Sequence, residues 1–145
     1  MGDATQFKVS EIPWQEGSLE LAAIRRRVFV IEQQIPEELE WDGIDPSCAH
    51  VVARDFAGRP IGTGRLLPDG HIGRMAVLER WRGKGVGRAM LERLIALARR
   101  DGHRVVVLHA QTYAIPFYTR QGFVPVGDEY LEAGIAHRTM HLAID

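Results

Sequence analysis

Residues 79–91 read ERWRGKGVGRAML, with glycine at positions 83, 85 and 87 and Arg82, Lys84 and Arg88 set among them. Glycine lets a backbone take left-handed dihedrals and come close to a ligand with no Cβ in the way. An apolar-periodic stretch follows at once, so the loop opens a helix. A helix mouth leaves about four N–H groups without partners and carries roughly half a positive charge. Free amides, that partial charge and the basic side chains together suit a phosphate or diphosphate. The loop is not a P-loop, which needs four residues between its glycines and then Lys-Ser/Thr. Nor is it the dinucleotide fingerprint, because Gly83, Lys84, Gly85, Val86 and Gly87 fail at its third glycine. The same residues would also make a plain glycine-rich turn with solvated arginines, so the surroundings decide.

Composition narrows the setting. A chain of 145 residues has room for one domain, taken here as 1–145. Hydrophobic content of 46% and charged content of 26% are ordinary for a folded domain. A net charge of −1 gives no reason to expect a nucleic-acid partner. Cys48 is the one cysteine, which excludes an internal disulfide and a cysteine-built zinc site; no metal is expected. No leader-like segment opens the chain, and no apolar run nears the ~20 residues that span a bilayer. The expectation is a soluble cytoplasmic protein with no membrane partner.

These residues need elements to position them. Apolar alternation predicts a strand at Phe7–Ile12. Ser18 is placed to cap a helix carrying Leu21, Ile24, Val28 and Ile31 at spacings of three and four, ended at the latest by Pro36. PEELEWDGIDPS reads as an acidic loop. Strands follow at 50–55, 60–67 and 71–77, joined by turn chemistry. Residues 86–100 carry Met90, Leu91, Leu94, Ile95 and Leu97 on one helical face. RVVVLHA, 104–110, reads as a strand buried on both faces. A short helix at 115–120 and strands at 123–132 and 137–144 complete the order β-α-β-β-β-α-β-α-β-β. The fold class is α+β in a three-layer arrangement: a mixed, mostly antiparallel central sheet with helices on both faces.

Arg82-x-x-Gly85-x-Gly87 resembles the R/Q-x-x-G-x-G/A signature of the GNAT superfamily of acyl-CoA N-acyltransferases. IGRMAV resembles the family's fourth strand and VVLHAQ its fifth. AIPFYTRQGF is similar to its A-x-x-x-Y-x-x-x-G-F segment through Ala114, Tyr118, Gly122 and Phe123. RRRVFVIEQQIPEELEWDGID and YLEAGIAHRTM resemble the two ends of the bacterial ElaA-like branch, so the likeness covers nearly the whole chain.

The resemblance implies an N-acetyltransferase that moves an acetyl group from acetyl-CoA to a primary amine of a small molecule or peptide, by direct attack in a ternary complex. It implies cofactor contacts from Met75, Ala76 and Val77 on the fourth strand's edge and from Arg82, Gly83, Lys84, Gly85, Val86, Gly87 and Arg88 in the loop. Gln111, Ala114, Phe117 and Tyr118 close the other side. Tyr118 matches the family's general acid. Glu32, Glu40, Asp42, Asp45, His50, His109, Glu132 and His137 lie in segments that reach toward an acceptor cleft. Glu32, Glu132 and His137 stand first among them as the base, unless water serves instead. The acidic run is either a solvated loop or a funnel for a cationic acceptor, with Phe29, Glu32, Glu40, Trp41 and Asp42 as acceptor contacts. The family also allows a homodimer. Two alternatives stay open. One is an acyl-CoA sensor without catalysis. The other is an acyl-homoserine lactone synthase, whose R-x-x-V-F…E-x-D-x-x-D pattern is echoed, one residue out of step, by Arg26, Val28, Phe29, Glu40, Asp42 and Asp45.

Overall fold

The computed structural model describes residues 6–145. Strand β1 (Phe7–Ile12) is followed by Pro13, whose fixed φ of −63° suits the residue before a helix. The Pro13 carbonyl accepts from the N–H groups of Glu16 and Gly17 at 3.0 and 3.1 Å. Helix α1 (Trp14–Arg25) therefore starts a turn earlier than expected, and Ser18 lies inside it and caps nothing. Past Arg25 the coil widens into a π-helical segment, Arg26–Glu32. That widening breaks the spacing of three and four. Leu21, Ile24 and Val28 are buried as expected, whereas Ile31 is turned outward and 54% exposed. The expected acidic loop holds a short helix α2 (Glu37–Glu40) and a 3-10 turn, Asp45–Ser47.

Strands β2 (Ala49–Asp55), β3 (Pro60–Leu66) and β4 (Ile72–Val77) join β1 in an antiparallel sheet of order β1-β2-β3-β4. Helix α3 (Val86–Arg100) lays Met90, Leu91 and Leu94, each 0% exposed, on one face of that sheet. Burial of each such side chain stabilises the fold by roughly 2 kcal/mol. Gly64 of β3 makes the approach close, since a Cβ there would stand 2.9 Å from Leu94 Cδ1. Ala76 of β4 packs with Ile24, Val28 and Phe29 of α1 and the π-helical segment.

Strands β5 (Val105–Gln111), β6 (Val124–Glu132) and β7 (Ile135–Ala143) form a second antiparallel sheet, β5-β7-β6, with helix α4 (Ile115–Arg120) between β5 and β6 in sequence. Val106, Leu108 and Ala110 join the same core as the α3 stripe. The α+β class and the mostly antiparallel strands are as expected, with the central sheet parted into two. Parallel pairing between the sheets is confined, among the described residues, to His71 opposite Val107, next to a bond from Val107 N–H to Gly70 O at 3.2 Å.

Candidate active site

Beyond that bridge β4 and β5 separate, and a cavity of about 430 Å³ lies where they part. A bulge in β4 shapes one wall. Gly73 pairs with Arg65 and Ala76 with Thr63, so Arg74 and Met75 together face the single residue Gly64. Arg74 accommodates the extra residue at φ 47°, left-handed for a side chain that disfavours it.

Charge holds Arg74 there. Its Nε stands 3.2 Å from Glu40 Oε2, and its Nη2 donates to Glu40 O at 3.1 Å. The fully buried Arg25 lies between Glu40 at 2.8 Å and Asp45 at 2.7 Å, and Arg65 bonds Asp42 at 2.5 Å and Asp45 at 2.9 Å. Arg25, Arg65 and Arg74 thus balance Glu40, Asp42 and Asp45. The Arg65 hydrogen bond takes the Asp42 carboxyl down to about 2. Burial works against ionised Asp45, yet Arg25 and Arg65 outweigh it and lower its pKa. At Glu40 burial prevails over Arg74 and Arg25 and raises it. These three acids are therefore neither a solvated loop nor free charge for a funnel. Trp41 lies against the Arg25 and Arg26 guanidiniums at 5.1 and 5.7 Å, which covers the indole. Asp45 and His50 are buried behind the wall, with His50 Nε2 2.8 Å from Asp45 O.

At the far end of β4 stands the glycine loop. Gly83 and Gly85 take φ of 76° and 87°, conformations that only glycine adopts without strain, and Gly85 is the last residue before α3. The first backbone bond into the helix runs from Ala89 N–H to Gly85 O at 3.1 Å. Among the described residues the amides of 83–88 have no hydrogen-bond acceptor, and most of this loop is exposed. Gly87 faces Phe117, whose Cζ would be 3.7 Å from a Cβ. Val86 is fully buried, and its side chain joins the core beneath the loop. Arg82 donates to Val77 O at 2.9 Å and pairs with Glu32 at 2.9 Å. Glu32 accordingly sits by the loop and does not line the cavity.

Tyr118 reaches the cavity from α4, with its ring edge-on to Phe117 and Phe123 and its hydroxyl 3.9 Å from Met75 Sδ. Burial, aided by Tyr113, pushes its pKa up to about 12, so it keeps its proton. Phe29, Ala114, Glu132 and His137 also line the cavity. His137 Nε2 is 3.7 Å from Glu132 Oε2, and its Nδ1–H is aimed at Ile135 O at 2.7 Å. Gln111 Nε2 donates to Gln33 Oε1 at 2.8 Å, tying β5 to the end of the π-helical segment. Gln33, Arg74 and Tyr113 were not among the expected site residues. Arg74 is recruited by a backbone bulge, which leaves no mark in the order of side chains.

This division of two sheets around a cleft, with an amide-lined helix mouth at one end, is a fold class with known members. The family model for the acetyltransferase (GNAT) domain matches residues 16–144, and the chain belongs to that family. Within it the chain is ElaA-like. ElaA of Escherichia coli is 29% identical over 125 residues, 81% of each chain, and its crystal structure aligns with a TM-score of 0.83 at 26% identity over 94% of this chain and 99% of that one. YjcF of Bacillus subtilis, described as an uncharacterized N-acetyltransferase, is 37% identical over 121 residues, 81% of this chain and 86% of its own. An acyl-CoA N-acyltransferase from Pseudomonas aeruginosa aligns with a TM-score of 0.84 at 31% identity, over 95% of this chain and 100% of that one. No helix among the described residues is long and apolar enough to cross a membrane, and no group of metal-ligating side chains is found among them.

Proposed function

We propose that the protein transfers the acetyl group of acetyl-CoA to a primary amine of a small molecule or peptide, by direct attack with both substrates bound. The observation that carries this reading is the set of unpartnered amides at 83–88, which follows β4 in the chain, the strand whose Ile72–Met75 stretch lines the cavity together with Tyr118. Those amides, with Arg82, Lys84 and Arg88, would bind the diphosphate of the cofactor. The edge of β4 at Met75, Ala76 and Val77 would offer main-chain groups to the pantetheine arm, as an added strand would be bound, with Arg82 giving up the Val77 carbonyl it now holds. Gln111, Ala114 and Phe117 form the facing side. Acetyl-CoA supplies the activated acyl group as its thioester. A backbone N–H of the bulged segment is the donor for the thioester oxygen, an interaction worth ~3 kcal/mol where charge develops. Tyr118 gives its proton to the departing sulfur.

On the acceptor side Glu132 supplies a carboxylate for a cationic amine, with His137 beside it and Phe29 as an apolar wall. Glu40 and Asp42 shape that side through their arginines, and Trp41 closes it from behind. A cytoplasmic location and action without a metal belong to the same reading.

Calorimetric titration with acetyl-CoA tests it. The wild-type chain is expected to bind saturably, and Gly85→Val to lose binding with its circular dichroism retained, because valine rejects φ 87°. Unchanged affinity in Gly85→Val overturns the assignment of the loop. Binding with no thiol release against any primary amine moves the reading to a sensor.

A further inference from the structure

A run of rings lies along the cleft, from His71 at the joint between the sheets to His109, Tyr130 and His137 on the second sheet. His71 and His109 stack with centroids 5.4 Å apart and planes at 20°. Tyr130 stands edge-on to His109 at 6.0 Å and stacks on His137 at 6.0 Å. Strand register sets them side by side, His109 of β5 opposite Thr139 of β7, and Tyr130 of β6 opposite His137. The Tyr130 hydroxyl is 2.5 Å and Thr139 Oγ1 is 3.1 Å from His109 Nδ1. His109 Nε2 has no hydrogen-bond partner among the described residues, and His109 lines the cleft near the point where β4 and β5 part.

We propose that His109 is the base that takes the proton from the acceptor ammonium, and that Tyr130 is the positioning residue that keeps its Nε2 turned to the cleft. This rests on the transferase reading of the same cleft. A hydroxyl oxygen accepts as well as donates, so Tyr130 and Thr139 both suit an Nδ1–H. That bond persists whether the ring is neutral or protonated, and the imidazole need not turn when Nε2 gains its proton. The protein packed around its ring lowers the His109 pKa, although the residue keeps an exposed side; Glu132 opposes this, while His71 and His137 add to it. The ring is therefore neutral and able to accept a proton near pH 7. His71 is itself 3.0 Å from Asp69 Oδ1, which places the stack next to an exposed carboxylate. His137 is less suited to the task. Its Nδ1 is committed to Ile135 O, its Nε2 is turned toward Glu132, and it is 6% exposed.

The protons balance. The ammonium gives one proton to His109 Nε2, and the neutral amine attacks the thioester carbon. The C–N bond forms, the C–S bond breaks, and the nitrogen's second proton leaves to water. The thiolate takes a proton from Tyr118, which solvent replaces. His109 then returns its proton to solvent, so each turnover releases one proton in sum.

Two measurements decide it. Nitrogen-resolved imidazole NMR reads the His109 tautomer and titration with no acceptor present. The wild type is expected as the Nδ1–H tautomer with a midpoint below the ordinary histidine value, and Tyr130→Phe to move that midpoint by about half a pH unit or more. Thiol release from acetyl-CoA with 2-phenylethylamine as the probe amine gives the pH profile of kcat/KM. His109→Gln is expected to lower kcat/KM by about 10²-fold near pH 7 and to abolish the acid limb set by the histidine, leaving a rise only at high pH where the amine is already neutral. Tyr130→Phe should shift that limb along with the NMR midpoint while leaving acetyl-CoA affinity unchanged, which a merely structural tyrosine would not do. An Nε2–H tautomer in the wild type, or a wild-type acid limb that stays in place in His109→Gln and disappears in His137→Gln, overturns the proposal and leaves the transferase reading standing. A wild type that fails to bind acetyl-CoA brings down both.

Discussion

The Tyr118 hydroxyl has a thioether sulfur 3.9 Å away as its neighbour, and sulfur is a weak acceptor. A hydroxyl without a firm partner adds nothing to packing, so phenylalanine would serve against Phe117 and Phe123 at least as well. The hydroxyl's value lies in a proton that burial holds in place. Tyr118→Phe is therefore expected to keep its melting temperature and acetyl-CoA affinity while turnover falls ~10²-fold. Turnover within a few fold of wild type, measured by thiol release, would reduce the residue to packing. Arg82 and Glu32 teach something different at this scale. Read one at a time, one belongs to the loop and the other to the acceptor side. Folded, they bond each other at 2.9 Å, so the charge that would greet a diphosphate is already partnered.

Among the elements, the β4 bulge is the one that depends on residues far away in sequence. Arg74 bears the strain of φ 47°, and its guanidinium is held by Glu40 and Asp42 from the α2 region. Removing the side chain leaves Glu40 buried with one cation fewer, which costs about 3 kcal/mol. Glycine at the same place loses the same ion pairs yet relieves about 1 kcal/mol of backbone strain. Urea unfolding should accordingly rank wild type above Arg74→Gly, and Arg74→Gly above Arg74→Ala. An Ala variant as stable as the Gly variant would mean that the left-handed backbone stores no strain. The long apolar patterns were legible here: helix Val86–Arg100 and strand Phe7–Ile12 lie where periodicity puts them, and the loop between β4 and α3 announces itself by glycine. The π-helical widening that turns Ile31 outward was not, because it breaks the very period used to read it. The acidic run read as solvent-facing since its arginines, Arg25, Arg65 and Arg74, come from three other parts of the chain. Arg74 and Gln33 enter the site through a bulge and a cleft-spanning bond, both products of tertiary structure.

For the molecule as a whole, the charge network ties the helical layer to the first sheet, and its pH response has a definite sign. Asp42 is held at about 2 by Arg65, below its value in an unfolded chain. Its contribution is present above the unfolded value and is lost as pH falls toward 2. Glu40 acts the other way, because its raised pKa makes the fold bind a proton the unfolded chain gives up, a stabilisation that fades as pH rises. Asp42→Asn is expected to melt below the wild type at pH 7 and to close that gap as the pH approaches 2, read by thermal scans across that range. A gap that stays constant would place the loss outside the ionised pair.

The joint between the sheets has a mechanical meaning. With parallel pairing reduced to His71 and Val107, main-chain ladders do little to set the angle between the two halves. That angle is fixed instead by the shared core, where Leu94 meets Leu108 and Val106 in one cluster, and by Arg99 of α3 donating to Ile144 O just past β7 at 2.9 Å. Helix α3 thus works as the wedge that sets the gape, and a slimmer side chain on its buried stripe would narrow the opening from behind.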